Sequence, residues 1–132
     1  MQELKDRIVK EGKVLPGNII KVDGFLNHRI DTELMDHIAE EFGKHFNMDE
    51  VTMILTAEAS GIALSAIVAH HFHKPMIFAK KAKSDNIEGG LYQSDIFSYT
   101  YKKKVTLLVS KEWLSADDKV LIIDDFMANG EA

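Results

Sequence analysis

The sequence predicts an α/β protein built around a parallel β-sheet with right-handed crossovers. Short apolar runs rich in β-branched residues recur along the chain, and a helical pattern from about Ile62 to His71 separates the first two of them. The runs are VTMILT (51–56), PMIFAKK (75–81), VTLLVS (105–110) and VLIID (120–124). The order strand, helix, strand, excursion, strand is typical of a parallel sheet whose faces are covered by helices.

Length and composition place further bounds on this fold. The chain has 132 residues, of which 45% are hydrophobic and 28% charged, so we expect a single domain over 1–132 with a real core. A formal net charge of -5 disfavours binding to a nucleic-acid backbone. The absence of cysteine excludes disulfides and thiolate metal sites. Residues 1–12 lack the apolar run of a signal peptide, and no stretch is long enough for a membrane span, so we expect a cytoplasmic protein without membrane partners.

The N-terminal third is expected to hold two helices separated by an irregular segment. The first helix is predicted from Glu3 to Glu11, where apolar residues recur at helical spacing and a glycine follows. The segment 14–30, VLPGNIIKVDGFLNHRI, contains a Pro-Gly turn and short apolar groups, which favours a loop or a short hairpin. Asp31 or Thr32 can then cap a second helix that runs to about Phe46.

Residues 82–104 differ from the strand patterns on either side of them. They are polar, contain a Gly-Gly pair, and then alternate through Ile96, Phe97 and Tyr99. Together with the VTLLVS run, this pattern predicts a β-hairpin flap.

Three loops follow predicted strands at their carboxyl ends, where open parallel sheets bind ligands. Small residues and a glycine let backbone N–H groups approach an anion, lysines add positive charge, and an acidic pair can accept hydrogen bonds from vicinal hydroxyls or face hydrated magnesium. The residues concerned are Ala59, Ser60 and Gly61 after VTMILT, Lys80 and Lys81 in PMIFAKK, and Asp124 and Asp125 after VLII.

Each of these features taken alone has an ordinary structural explanation. Acids after a strand are often merely solvated, a lysine pair is more often surface than site, and one glycine loop is a weak signal. In this order and at these strand ends, however, they favour a ligand with a diphosphate, two hydroxyls and a monophosphate. Phosphoribosyl diphosphate (PRPP) has that layout.

The last thirteen residues, VLIIDDFMANGEA, resemble the PRPP-binding motif of type I phosphoribosyltransferases. The stretches KVDGFLNHRID, SGIA and PMIFAKK are similar to those of the bacterial xanthine phosphoribosyltransferase family, and the resemblance covers essentially the whole chain. It implies a Rossmann-like core (31–132) with a hood segment (1–30) and a flap at about 82–104. The implied activity is purine salvage: transfer of the 5-phosphoribosyl group from PRPP to N9 of xanthine, giving xanthosine 5′-monophosphate and diphosphate, in a homodimer.

The same resemblance implies roles for individual residues. Hood residues would contact xanthine, the acidic pair would hold the ribose hydroxyls, and the loop with the lysines would face the diphosphate and the Mg²⁺ that PRPP carries. Backbone amides of the last five residues would bind the 5′-phosphate. The xanthine residues are Ile20 and Asn27, the phosphate residues are Ala128, Asn129, Gly130, Glu131 and Ala132, and the flap residues are Ser98 and Tyr99. Ala128 replaces an aspartate of some relatives, so no general base is assigned. No direct metal ligand is expected either, because PRPP carries the Mg²⁺.

Two alternatives stay open from the sequence: a regulatory domain that senses PRPP without catalysis, and an adenine phosphoribosyltransferase. The resembled family continues for about another third of its length, so we expect these residues to be a C-terminally truncated fragment. Such a fragment would leave one flank of the sheet open and its catalysis doubtful. The histidines at positions 70, 71 and 73 are interpreted as a solvated helix end, because no third ligand with fixed geometry is evident.

Overall fold

The computed structural model describes residues 1–17, 19–82, 90–98, 103–127 and 130. The N-terminal half contains helix α1 (Gln2–Glu11), the short strands β1 (Lys13–Leu15) and β2 (Ile19–Lys21), a π-helical turn (Asp23–Asn27) and helix α2 (Thr32–His45). The remainder contains β3 (Met53–Ala57), α3 (Gly61–His71), β4 (Met76–Ala82), β5 (Leu91–Ser98), β6 (Lys103–Ser110) and β7 (Val120–Ile122). These elements confirm the predicted α/β class.

Five of the described strands form one sheet in the order β5-β6-β4-β3-β7. Strand β3 lies between β4 and β7. It is parallel to both, and this direction is the one that the sequence predicts. The run at 105–110 differs: β6 is antiparallel to β4 and to β5, so the predicted hairpin extends the sheet. The short β5–β6 connection explains the antiparallel pairing of these two strands, because a parallel pair needs a crossover of roughly a dozen residues or more.

The core lies between β3 and the helices α2 and α3. Residues of β3 alternate between partly buried and buried, with Ile54 and Thr56 pointing into the core at 0% and 2% exposure. Leu34 and Ile38 from α2 and Leu64 and Val68 from α3 pack in the same cluster. This packing fixes α3 relative to β3, and therefore fixes the loop that joins them.

Helix α2 begins as the sequence predicts, with Asp31 as its cap. The Asp31 carboxylate accepts a hydrogen bond from the Leu34 N–H at 3.2 Å and pairs with the Arg7 guanidinium at 2.8 Å. The Leu34 N–H, followed by Arg7, holds the pKa of Asp31 below its ordinary value. Since Arg7 belongs to α1, this ion pair attaches the N-terminal helix to the start of α2.

The hood segment combines an exposed hairpin with a buried turn. Strands β1 and β2 pair in antiparallel register, and all six of their residues are exposed. Phe25 and Leu26 in the π-helical turn are buried at 0% and 6% exposure, and the Arg7 guanidinium lies 5.5 Å from the Phe25 ring centroid. The buried pair anchors the turn that ends at Asn27.

Strand β7 is more exposed than the buried strand that the sequence predicts. Ile122 is 66% exposed, whereas Ile123 immediately after it is 4% exposed. The reason is position, because β7 lies at an edge of the sheet and alternate residues face opposite sides. Within the described residues, no helix combines the length and apolar character that a membrane crossing requires.

Candidate functional site

The acidic pair lies beside the loop that joins β3 to α3. After β7 ends, the Ile123 N–H donates a hydrogen bond to the Leu55 carbonyl at 2.9 Å, which extends the contact between the two strands. Asp124 and Asp125 therefore leave the sheet next to the Ala57–Gly61 loop, at the carboxyl ends of two parallel strands. The structure brings together two of the three predicted ligand-binding segments.

Asp125 joins three segments that are far apart in sequence. Its Oδ1 accepts a hydrogen bond from the Ser60 hydroxyl at 2.8 Å, and its Oδ2 accepts one from the Asn27 side-chain amide at 3.0 Å. Ser60 belongs to the predicted diphosphate loop and Asn27 to the predicted base-contacting hood. One carboxylate thus connects three candidate subsites.

Asp124 is packed closely against the first residue of α3. A Cβ built on Gly61 would overlap Thr56 Oγ1 and would lie 2.5 Å from Asp124 Oδ1 and 3.3 Å from Asp124 Cα. The two oxygens therefore share one small space beside the Gly61 backbone. Thr56 Oγ1 is buried and has no hydrogen-bond partner among the described residues.

Burial raises the pKa of Asp124 to about 6, and hydrogen bonding with Asp125 and its charge add to that rise. The Lys81 charge and the Asp125 N–H, which donates to Asp124 Oδ1 at 2.9 Å, both oppose it. Although Asp124 as a whole residue is exposed, the side of its carboxylate that faces Gly61 and Thr56 is desolvated. The acidic pair is therefore expected to carry less than two negative charges below about pH 6.

This pKa predicts a specific dependence of stability on pH in the ligand-free protein. Because the folded-state pKa of Asp124 lies above its ordinary value of 3.8, folding takes up a proton, and stability is lost as pH rises through about 6. Compared with Asp124→Asn, the wild type should lose about 1 kcal/mol of unfolding free energy from pH 4 to pH 7, a figure reduced for solvent screening. Urea unfolding of both proteins at matched pH values measures the difference.

Taking the difference between the two proteins removes the contribution of titrating groups that do not interact with Asp124. His37, whose pKa is raised by its hydrogen bond to Glu3, also loses stabilising charge as pH rises, but it does so in both proteins. A wild-type-minus-variant difference that stays constant from pH 4 to pH 7 would show that Asp124 has an ordinary pKa.

The two lysines of β4 are not equivalent. They are consecutive residues of a strand, so their side chains point to opposite faces of the sheet. The Lys81 charge acts on Asp124, and the Lys81 backbone N–H donates to Glu58 Oε1, which ties the end of β4 to the β3–α3 loop. The lysine pair, predicted to lie in a loop after the strand, therefore lies within β4 itself. It is attached to the β3–α3 loop through the Lys81 backbone, and strand alternation separates Lys80 from Lys81.

The other predicted site residues fall into two groups. Ile20 lies in β2, where it is 44% exposed, Gly130 has a left-handed φ of +72°, and Ser98 ends β5. The following predicted residues lie outside the described part of the chain: Tyr99, Ala128, Asn129, Glu131 and Ala132. Their proposed roles stay predictions.

Two residues of the site were not selected from the sequence. From the sequence, Thr56 was interpreted only as a β-branched strand residue, and Glu58 only as one residue of a small-residue loop. A polar residue at or just after the end of a buried strand is a weak signal for a functional role. Their positions follow from the packing of β3 against β4 and α3, which the sequence does not display.

The three histidines near the end of α3 make two separate contacts. His71 Nδ1 lies 2.7 Å from Asp36 Oδ1, and the His70 and His73 rings meet edge to face with centroids 6.4 Å apart. Across the part of the chain that the structure describes, no three histidine or acidic side chains form a group that would hold a metal ion.

Comparison with known proteins identifies curated relatives over the whole chain, although no family model matches. A xanthine phosphoribosyltransferase of Lachnoclostridium phytofermentans is 54% identical over 98% of this chain and 67% of its own length. Those of Bifidobacterium animalis subsp. lactis and Ligilactobacillus salivarius are each 50% identical over 100% of this chain and 69% of their own. The chain therefore spans about two thirds of the length of these relatives.

Solved structures give the same fold at lower identity. Adenine phosphoribosyltransferase from Giardia lamblia, in complex with 9-deazaadenine, superposes with a TM-score of 0.75 at 24% identity and covers 97% of this chain and 70% of its own. The adenine phosphoribosyltransferase of Rhodothermus marinus gives a TM-score of 0.72 at 20% identity, covering 99% of this chain and 74% of its own. At these identities the likeness establishes the fold alone.

Proposed function

This chain belongs to the xanthine phosphoribosyltransferase family, and from that membership we propose how its own residues serve the reaction. It is a purine-salvage transferase that moves the 5-phosphoribosyl group of PRPP to N9 of xanthine, releasing diphosphate. The proposal assigns the ribose to the acidic pair, the diphosphate to the β3–α3 loop and Lys81, and the purine to the hood. The observation that carries it is the position of Asp125 between Ser60 and Asn27.

The ribose assignment follows from the chemistry of the pair. Vicinal hydroxyls are donors, and two adjacent carboxylates supply acceptors on both sides of a sugar edge. Asp124 is held against Gly61, while Asp125 is oriented by Ser60 at 2.8 Å. Side chains fixed in this way lose little freedom when the sugar binds, which favours a defined orientation of its anomeric carbon.

The diphosphate assignment rests on charge and on backbone donors. Departure of diphosphate from the anomeric carbon builds negative charge on the leaving group, so groups that stabilise that charge lower the barrier. The loop before α3 presents backbone N–H groups at a helix start, and Lys81 supplies a positive charge on the Asp124 side of the sheet. Lys80, on the opposite face, is the weaker of the two predictions.

The donor set fits a magnesium ion that arrives with the substrate. Asp124 and Asp125 could face the water shell of this Mg²⁺, while oxygens of the substrate phosphates would be its direct ligands. The described residues contain no larger acidic or histidine group that would hold the ion without substrate. When bound, Mg²⁺ neutralises charge on the diphosphate.

The base assignment uses the hood. The Asn27 amide offers both a donor and an acceptor to a purine edge, and Ile20 offers an apolar surface to a flat ring. No described side chain is assigned as a general base. A single domain and a cytoplasmic location, both expected from the sequence, and a homodimeric assembly, implied by the resemblance, complete the proposal.

The two alternatives are less well supported. The relatives at about 50% identity named above are xanthine phosphoribosyltransferases, whereas the adenine enzymes match at 24% and 20% identity. A PRPP-sensing regulator would be expected to carry a separate DNA-binding region, and the acidic charge of this chain does not favour one.

A direct assay tests the proposed function. The full-length protein is incubated with PRPP, Mg²⁺ and one purine at a time, and formation of nucleoside monophosphate is followed. We expect turnover of xanthine to exceed that of adenine, hypoxanthine and guanine by at least about tenfold, since a site that pairs with exocyclic oxygens leaves polar groups unpaired against other bases. Binding of PRPP without turnover of any purine would favour the regulator instead.

A further inference from the structure

The hydrogen bond between Asn27 and Asp125 joins two groups that the reaction needs separately. The partners lie 98 residues apart in sequence, one in the hood and one after the last strand, with 3.0 Å between the amide nitrogen and Oδ2. Under the proposed function, Asn27 would hydrogen-bond the purine and Asp125 would hydrogen-bond the ribose. In the structure each of them is engaged by the other.

The backbone on both sides of this bond is fixed. Asn27 ends a π-helical turn whose Phe25 and Leu26 are buried, and the Arg29 N–H closes that turn on the Asp23 carbonyl at 2.8 Å. Asp125 follows Ile123, which is 4% exposed and hydrogen-bonded to β3. The bond can therefore be broken by rotation of the Asn27 side chain alone, without moving either backbone.

Asp125 would not be released when that rotation occurs. Its other oxygen accepts the Ser60 hydroxyl at 2.8 Å, so the carboxylate keeps one partner and its orientation. The Asn27 amide nitrogen occupies the position from which a ribose hydroxyl would donate to the same lone pair of Asp125 Oδ2. Rotation of the amide therefore exposes an acceptor that is already aimed.

We propose that the Asn27–Asp125 hydrogen bond is an exchangeable latch between the base and sugar subsites, broken when substrates bind. This inference rests on the proposed function and deepens it. A ribose that takes Oδ2 frees the Asn27 amide for the purine, and a purine that takes the amide frees Oδ2 for the ribose. Binding of each substrate then favours the other by the same factor. Ser60 is a positioning residue that keeps Asp125 in place during the exchange.

The latch makes a prediction opposite in sign to that of a simple contact residue. Without purine, PRPP must compete with the Asn27 amide, so removing that amide should strengthen PRPP binding. We expect Asn27→Ala and Asn27→Ser to bind magnesium–PRPP about three- to tenfold more tightly than the wild type, the effect of one hydrogen bond. Ser60→Ala should bind PRPP more weakly, because the Asp125 carboxylate would lose the hydrogen bond that keeps its orientation once Asn27 is displaced.

Isothermal titration of the full-length protein with magnesium–PRPP, in the absence of any purine, measures these affinities. Asn47→Ala is the matched control, because Asn47 is an exposed asparagine that hydrogen-bonds Glu50 and should leave the affinity unchanged. Equal or weaker PRPP binding by both Asn27 variants would overturn the latch. No PRPP binding by the wild type would overturn the proposed function, and the latch with it, which is a different result.

Discussion

Gly61→Ala is expected to destabilise the protein by about 1–3 kcal/mol and to lower kcat/KM by at least about 100-fold. A Cβ at this position would overlap Thr56 Oγ1 and lie 2.5 Å from Asp124 Oδ1. Neither neighbour can yield cheaply, because Thr56 is buried in the central strand and the Asp124 backbone lies 3.3 Å away. Relief of the overlap would therefore shift the acidic pair itself. Urea unfolding and steady-state kinetics with PRPP and xanthine measure the two effects.

The matched control is Gly24→Ala. A Cβ at Gly24 would meet no atom within 4 Å, and its φ is not in the left-handed region. The unfolding free energy of this variant should change little or rise, since alanine restricts the unfolded chain more than glycine does. If Gly61→Ala matches Gly24→Ala in both stability and activity, the close approach of Asp124 to α3 does not matter.

Asp125→Ala is expected to lower kcat/KM by about 10²–10⁴-fold with little change in stability. The carboxylate would accept two hydrogen bonds from the ribose, each involving a charged acceptor and contributing about 1.5–3 kcal/mol. A loss of about 1.4 kcal/mol corresponds to a tenfold decrease. Stability should change little, because the bonds to Ser60 and Asn27 lie at a partly exposed position. Steady-state kinetics over a range of PRPP concentrations provides the measurement.

The comparison variant is Asp117→Ala, which removes a carboxylate from an exposed position in the β6–β7 loop. It should retain wild-type kinetics, which separates loss of the ribose contact from a general loss of negative charge. The kcat/KM of Asp125→Asn should lie between those of Asp125→Ala and Asp117→Ala, because the amide keeps one acceptor oxygen and loses the charge. Wild-type kcat/KM in Asp125→Ala would rule out the ribose assignment.

Most of the elements were predictable because their signals are local. VTMILT and PMIFAKK predicted β3 and β4 to within a residue or two, and the cap at Asp31 placed the start of α2. The hairpin was also predictable, since its alternation repeats every second residue. Its antiparallel attachment to β4 was not, because pairing partners depend on the path of the chain between strands.

The chemistry of the candidate site was predictable only as a set of residue types. An acidic pair, a lysine pair and a glycine loop after strands suggested a sugar phosphate, but their mutual geometry was hidden. The structure gives Lys80 and Lys81 opposite faces, assigns Ser60 to Asp125, and brings Thr56 beside Asp124. The spacing of these residues along the sequence does not predict any of these contacts.

Residue patterns within one strand or helix specify the α/β class, the strand ends and the residue types gathered there, because periodicity and capping act over a few residues. The contact between Asn27 and Asp125, the overlap that forbids a Cβ at Gly61 and the raised pKa of Asp124 come from the assembled fold. Each depends on a distance or on desolvation where segments that are far apart in sequence meet. These contacts exist only once α3 has packed on β3 and the hood segment lies against the acidic pair.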